Sequence, residues 1–233
     1  MLKELIQDEV REFVQDLKES RVSAFFTLAL LLVATGYGSF KVYTWFFVRK
    51  EVAAQTSFAE SFEEYAQVLD VSLDQKQTKD AIEKQWEDLM VVLKAIDQKH
   101  GNTVYGDGAK ALQVDVLLQE GKTKEALEVL ESLCNELSSG SSLYYMYATK
   151  RALVMIDAGT VVEGIAQLES LANDVNNKYS DTPAFYLGYY YWSINDVTKA
   201  KEVWKQFIVV DQQKPESVSP WAAIVQSKLS QIA

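Results

Sequence analysis

Residues 22–40 form a run of 19 residues without one charged side chain, between Arg21 and Lys41. A helix of that length reaches about 28 Å, close to the thickness of the hydrocarbon core of a bilayer. Bulky apolar residues continue to position 48, and four of them are aromatic: Tyr43, Trp45, Phe46 and Phe47. An aromatic belt followed by cationic residues is typical of a membrane interface. The pattern predicts a transmembrane helix with an aromatic flank over residues 22–48.

Three other interpretations of this run fit the sequence less well. A cleaved signal peptide has a shorter apolar core with small residues just beyond it, whereas bulky residues follow here. A lipoprotein signal needs a cysteine at the cleavage point, and the one cysteine, Cys134, lies far downstream. A buried core helix normally carries polar residues on one face or is shorter.

The charges beside the run do not orient it in a membrane. Four cationic residues precede it and three follow it within a few positions, so the positive-inside count is nearly tied. Within the run, Ala34 and Gly38 form a small-xxx-small pair, which would let a second membrane helix approach closely.

Residues 1–21 are predicted to form an amphipathic N-terminal tail. Apolar residues recur there at spacings of three and four, which places them on one helical face: Leu2, Leu5, Ile6, Val10, Phe13, Val14 and Leu17. Such a helix either lies on the membrane surface or against the span, or it docks a partner.

The chain after the run is acidic and contains enough residues for one domain. Of 23 Lys and Arg and 33 Asp and Glu, the first 50 residues hold 7 and 6, which leaves a net charge near −11 for residues 51–233. A domain so acidic repels phosphate backbones, so nucleic acid is not an expected partner. One cysteine permits no internal disulfide, which leaves the compartment open.

Turn residues recur in the downstream part at a regular interval. Gly121, Gly159 and Asn195 each follow an apolar helix end and precede an amphipathic helix, at intervals of 38 and 36 residues. Because these residues tolerate a left-handed backbone, they suit the turn between two helices. The period predicts an all-α helical-repeat solenoid over residues 51–233, with units at about 103–138, 142–175 and 181–213. Residues 51–100 would add a degenerate pair, and residues 219–233 a capping helix that starts at Ser219 and Pro220.

The unit "AFYLGYYYWSINDVTKAKEVWKQF" resembles the tetratricopeptide repeats (TPR). The residues that carry the likeness are small where paired helices cross and large between them: Leu187, Gly188, Tyr191, Ala200 and Trp204. The unit at Gly121 departs from this pattern at Val114, and the unit at Gly159 departs from it at Gly164 and Arg151. The resemblance implies a TPR-like α-solenoid that binds other proteins.

The whole layout is similar to a narrower family, the YfgM-like ancillary subunits of the bacterial SecYEG translocon. The stretches that carry this likeness are "KHGNTVYGDGAKALQVDVLLQEGKTKEALEVL" and "DTPAFYLGYYYWSINDVTKAKEVWKQF". The resemblance implies a single-pass protein of the bacterial inner membrane with a cytoplasmic N-terminus and a periplasmic C-terminal domain. It also implies protein partners: the Sec translocon and a periplasmic chaperone or prolyl isomerase.

No residue pattern indicates catalysis, a metal site, a cofactor or a small-molecule substrate. The one histidine, His100, has no serine or cysteine motif beside it, and a lone imidazole makes neither a triad nor a metal site, so a solvated loop is its expected place. Cys134 lies among leucines on an apolar helix face, which predicts a small buried thiol.

The expected binding site is a groove lined by apolar side chains of two repeats. By the geometry of the resembled family, Phe185, Tyr189 and Trp192 lie on the inner face of one repeat, and Met146, Leu153 and Ile156 on the inner face of the preceding one. Such a surface suits an apolar segment of another protein. The alternative is that the aromatic residues are core, covered by the C-terminal helix that carries Trp221.

These observations predict a membrane-anchored protein–protein interaction adaptor, not an enzyme. In the leading interpretation its periplasmic TPR-like domain serves the translocon or chaperone network and assists export or folding of envelope proteins. The alternative is a cytoplasm-facing scaffold or assembly factor for another membrane complex, which the tied charge count permits.

Overall fold

The computed structural model describes the backbone of residues 21–74, 78–212 and 219–231, and the side chains of residues 32–73, 78–208 and 219–231. In those ranges the chain forms nine α-helices and no strand. The helices are α1 Arg21–Asp74, α2 Lys79–His100, α3 Val104–Gln119, α4 Thr123–Glu136, α5 Ser142–Asp157, α6 Val161–Asn173, α7 Asp181–Ser193, α8 Val197–Gln212 and α9 Ala222–Gln231. The chain divides into two compact units, Met1–Gln55 and Thr56–Ala233.

The first unit contains the N-terminal part of α1, which has an apolar surface. From Leu32 to Val48 every large apolar side chain is at least half exposed. Two cations lie over aromatic rings of this segment, at 5.5 Å for Lys41 over Tyr37 and 4.7 Å for Arg49 over Trp45. The aromatic flank is therefore interleaved with cationic side chains.

Part of what the sequence predicts for this unit lies outside the described residues. This applies to the amphipathic tail at 1–21, apart from the backbone of Arg21, and to the side chains of residues 22–31 in the predicted span. Within the part of the chain that the structure describes, no helix is long and apolar enough to cross a membrane. The predicted packing pair, Ala34 and Gly38, is exposed on α1, and a Cβ added at Gly38 would meet no heavy atom within 4 Å.

In the second unit each helix packs against the next one along the chain, from α2 to α9. One apolar cluster gathers α2, α3 and α4 around residues such as Leu89, Leu93 and Leu130, and the C-terminal part of α1 adds Val68 to it. Another gathers α5 to α9 around Trp204. Each helix alone has an apolar face, and stacking buries that face between neighbours. The prediction of an all-α repeat architecture is confirmed.

The three predicted turn residues all have a left-handed backbone: φ is 73° at Gly121, 90° at Gly159 and 63° at Asn195. The hydrogen bonds around them are also the same. The next residue donates its N–H to the carbonyl five positions earlier, for example Lys122 N to Leu117 O at 2.8 Å and Asp196 N to Tyr191 O at 2.8 Å. This is the Schellman arrangement, which satisfies the last carbonyls of the preceding helix. The period in the sequence thus corresponds to a helix C-terminus of the same geometry that recurs in each repeat.

Replacing Asn195 by alanine is expected to lower the free energy of unfolding by about 1–2 kcal/mol. Alanine has a Cβ that disfavours a positive φ, and it lacks the short polar side chain that lets asparagine tolerate this conformation. Asn195→Gly keeps the backbone conformation available and is the matched control. Urea denaturation of the two variants checks the expectation, and equal stability of the two would contradict it.

Candidate protein-binding surface

Three aromatic side chains on α7 form a row, which we call the α7 aromatic face: Phe185, Tyr189 and Trp192. Ring centroids lie 6.1 Å apart between the first two and 5.6 Å apart between the last two. Phe185 is 7% exposed, Trp192 is half-buried, and Tyr189 is 44% exposed. The row is therefore buried at Phe185 and most open to solvent at Tyr189.

Helix α9 covers one end of this row. Trp221 stacks on Phe185, with ring centroids 4.3 Å apart and an angle of 12° between the ring planes. The helix starts near the predicted position, and the hydroxyl of Ser219 accepts a hydrogen bond from the Trp221 N–H at 3.2 Å. The covered-core alternative therefore describes Phe185, whereas Tyr189 remains accessible.

The α5 residues predicted for the groove are divided in the structure. Leu153 and Ile156 are half-buried and, like Trp192, pack against the cluster that contains Phe185. Met146, two turns before Leu153 on the same helix, is 52% exposed. An apolar surface thus extends along α5, and its binding role stays a prediction.

Comparison with known proteins identifies the fold. No protein-family model matches the sequence, and no curated protein matches it. Among solved structures, the chain is similar to two crystal structures of a candidate kinesin light chain from Podosopora anserina with nearly identical TPR-like repeats. Each has a TM-score of 0.50 and 14% identity over 75% of this chain, and 85% or 86% of that chain is covered. The fold is TPR-like.

A tetratricopeptide repeat protein from Parabacteroides merdae is also similar, with a TM-score of 0.49 and 16% identity. The similarity covers 76% of this chain and 60% of that one. The prediction of a TPR-like solenoid is confirmed by the Podosopora structures. The comparisons contain no link to the YfgM-like family or to a translocon, so that narrower resemblance stays a prediction.

A buried lysine of the TPR-like solenoid forms ion pairs with residues of the two helices next to its own. The Lys110 side chain is almost fully buried on α3 and pairs with Glu136 at the end of α4 and with Asp97 of α2, the latter at 3.5 Å. Burial alone would lower the pKa of Lys110, but the hydrogen bond to Glu136 and the charge of Asp97 outweigh it and raise the pKa. Burial raises the pKa of the neighbouring Asp107, and the negative charge of Glu136 adds to that effect. The partners of Lys110 lie 13 and 26 residues from it in sequence, so no short motif indicates this cluster.

A second ion pair joins Lys150 of α5 to Asp115 of α3. Both side chains are about one-third exposed, so the pair is partly open to solvent. It connects the first helices of two successive repeats, and it places a neutralised pair of charges beside the apolar α5 surface. The two residues lie 35 positions apart, so no short sequence motif indicates this pair.

The stability of the Glu136→Gln variant is expected to differ from wild type in a pH-dependent way. The hydrogen bond from Lys110 holds the pKa of Glu136 below its usual range. A carboxyl with a lowered folded pKa contributes stability above its unfolded pKa, and the contribution disappears as the pH falls through the folded pKa. Because the Glu136 side chain is 42% exposed, the loss at neutral pH is expected to stay below about 1 kcal/mol.

Urea denaturation at neutral and acidic pH measures the effect of Glu136→Gln. The difference from wild type is expected at neutral pH and should vanish in acid. Glu131→Gln, an exposed change on the same helix, is the control and should alter stability by less than about 0.5 kcal/mol at either pH. A difference that persists in acid would contradict this explanation.

His100 and Cys134, the residues whose side chains could act in catalysis or metal binding, are both buried. His100 is the last residue of α2 and is 2% exposed, so the expected solvated loop position is wrong. The α2 helix continues to that residue and the next turn folds over it, with Thr103 donating to its carbonyl at 2.8 Å. Cys134 is buried as predicted, and burial raises the pKa of its thiol, which makes the thiolate less available. Among the described residues, no group of three or more histidine, cysteine or acidic side chains is placed to hold a metal ion.

Proposed function

We propose that this protein is a membrane-anchored adaptor whose TPR-like solenoid binds other proteins. The observation that carries the proposal is the apolar surface on the first helices of two successive repeats, where Met146 and Tyr189 face solvent. Stacked helical repeats present extended surfaces of this kind to partner proteins. Aromatic side chains at such a surface contribute a large part of the binding free energy when a partner buries them.

The anchor in this proposal is α1 over residues 22–48. The sequence there is uncharged through Phe40, and the described part from Leu32 to Val48 exposes large apolar side chains around the helix. An exposed apolar surface of that extent calls for a lipid or protein environment. The positions of Trp45 and Arg49 suit the interface of a bilayer.

We propose further that the solenoid faces the periplasm of a bacterium and acts beside the Sec translocon, together with periplasmic chaperones. This part is supported by the resemblance of the layout and of the stretches around Gly121 and Asn195 to the YfgM-like subunits. The acidic character of residues 51–233 agrees with protein partners and disfavours nucleic acid.

Two measurements in cells test this function. A reporter that is active only outside the cytoplasm, fused after Ala233, is expected to be active. A photo-crosslinking amino acid in place of Tyr189 is expected to capture Sec subunits or a periplasmic chaperone, whereas the same amino acid at the exposed Lys205 of α8 is the control. An inactive reporter would refute the periplasmic placement and favour the cytoplasm-facing scaffold. Absence of specific adducts at Tyr189 would refute the binding role of this surface.

A further inference from the structure

Helix α9 attaches to α7 through an aromatic contact with a polar rim. Trp221 stacks on Phe185, and its indole N–H donates to the hydroxyl of Thr182 at 3.1 Å. The hydroxyl of Ser219 donates to the carboxylate of Asp181 at 2.6 Å. The N-terminal part of α7 thus presents the Phe185 ring, the Thr182 hydroxyl and the Asp181 carboxylate to the segment that packs over it.

A second contact lies two turns further along α9. The ammonium of Lys228 is 3.6 Å from the centre of the Trp192 ring, a short cation–π distance. Trp221 immediately precedes α9 and Lys228 lies seven residues later, and the two side chains contact Phe185 and Trp192 of the same aromatic row. The α7 aromatic face therefore contacts an aromatic side chain and then a cation.

The attachment of α9 is slight compared with that of the repeat helices. Ala222 and Val225 of α9 are buried, Leu229 is half-buried against the cluster around Trp204, and Ile224 is 44% exposed. The helix has ten residues, and a helix that short is marginal in water without tertiary contacts. Elements with few buried apolar contacts are the ones that open locally at low free-energy cost.

We propose that the α7 aromatic face binds an amphipathic helix with an aromatic side chain and, two turns later, a lysine or arginine, and that α9 occupies this site until such a helix displaces it. The chemistry of the partner is that of the helix already seated there. The Asp181 carboxylate at the rim and the formal net charge of −10 favour a cationic partner segment. Tyr189, exposed between Phe185 and Trp192, gives the incoming helix a first point of contact. This inference rests on the protein-binding function proposed above, because it names the partner chemistry for the same surface.

A labelled peptide with the sequence of residues 219–231, SPWAAIVQSKLSQ, serves as the stand-in for the partner. Its binding to the full chain in detergent micelles is measured by fluorescence anisotropy. The double variant Trp221→Ala with Lys228→Glu weakens the hold of α9, and we expect it to bind the peptide about tenfold more tightly than wild type. Ile224→Ala changes an exposed side chain of α9 and is the matched control, with affinity expected within about twofold of wild type.

Changes on the other side of the contact complete the test. Trp192→Ala in the double variant is expected to reduce peptide affinity about tenfold, and so is a peptide that carries alanine in place of Trp221. The proposal would be overturned if the wild type and the double variant bound the peptide with equal affinity, or if Trp192→Ala left the affinity of the double variant unchanged. A concentration-dependent dimer of the wild-type chain that is lost with Trp221→Ala would also overturn it, because α9 would then be exchanged between two copies.

Folding of the variants is followed by circular dichroism. If the double variant loses helix content, Lys228→Glu alone replaces it, since that side chain is only half-buried. Amide hydrogen exchange on the wild-type chain gives an independent readout, with α9 expected to exchange faster than α7 and α8. Exchange of α9 as slow as that of α8 would refute its displacement. If adducts form at Tyr189 in cells but the peptide does not bind, this inference fails and the proposed function stands.

Discussion

Trp204→Ala is expected to lower the free energy of unfolding of the solenoid by about 3–5 kcal/mol. The Trp204 side chain is fully buried on α8, and it belongs to the cluster that joins α5, α6, α7 and α9. Truncation of a buried tryptophan removes its apolar contacts and leaves a cavity that neighbouring helices fill only in part. It also removes the indole hydrogen bond to the Phe185 carbonyl at 3.3 Å.

Urea denaturation monitored by far-ultraviolet circular dichroism measures the effect of Trp204→Ala. Lys205→Ala changes the adjacent but exposed residue of the same helix, and a shift below about 0.5 kcal/mol is expected for it. A loss below about 1 kcal/mol for Trp204→Ala would show that Trp204 does not hold the C-terminal repeat together.

Gly188→Ala is expected to destabilise the solenoid by about 1–3 kcal/mol, although alanine is the better helix former. A Cβ at this position would lie 2.2 Å from the Trp204 Nε1 atom and 2.5 Å from its Cδ1 atom. Such distances are far below van der Waals contact, so α7 and α8 would have to move apart. The loss of close packing outweighs the gain in helix propensity.

Two further variants test the steric explanation for Gly188. Gly140→Ala places a Cβ where no heavy atom lies within 4 Å, and it should leave stability nearly unchanged. In a Trp204→Ala background the added cost of Gly188→Ala should disappear, because the clashing ring is gone. A cost of Gly188→Ala that is the same in both backgrounds would contradict the clash.

The sequence permits good prediction where the physics is local. Left-handed turns at Gly121, Gly159 and Asn195 were predicted from residue type and spacing, and the structure has a positive φ at each. The small residues at helix crossings were also predicted from the sequence, because two helices that pack closely leave no room for a large side chain between them. Gly164 departs from the repeat pattern for the same steric reason, since a Cβ there would lie 2.7 Å from the Ala152 carbonyl oxygen. The glycine that weakened the family pattern permits the contact between α5 and α6.

The surroundings of a residue could not be predicted from the sequence where its neighbours come from distant parts of the chain. His100 has polar neighbours in sequence, yet it ends a helix whose terminus is covered by the next turn. The Lys110 cluster gathers residues from three helices, and no short motif reveals it. Whether Phe185 lines a groove or belongs to the core could not be predicted for the same reason. The exposure of its ring depends on where Trp221 packs.

By itself, the sequence determined the uncharged run at 22–40, the helical period and the turn positions, because each follows from residue type and short-range spacing. Only the tertiary structure decided how the aromatic row on α7 is divided: Phe185 lies beneath Trp221, whereas Tyr189 is left open. The two rings that stack are 36 residues apart, so their contact depends on the packing of two complete helices. The helices pack where their side-chain surfaces are complementary, because that arrangement buries the most apolar area. Complementarity between two helices depends on the whole fold and not on short-range sequence spacing.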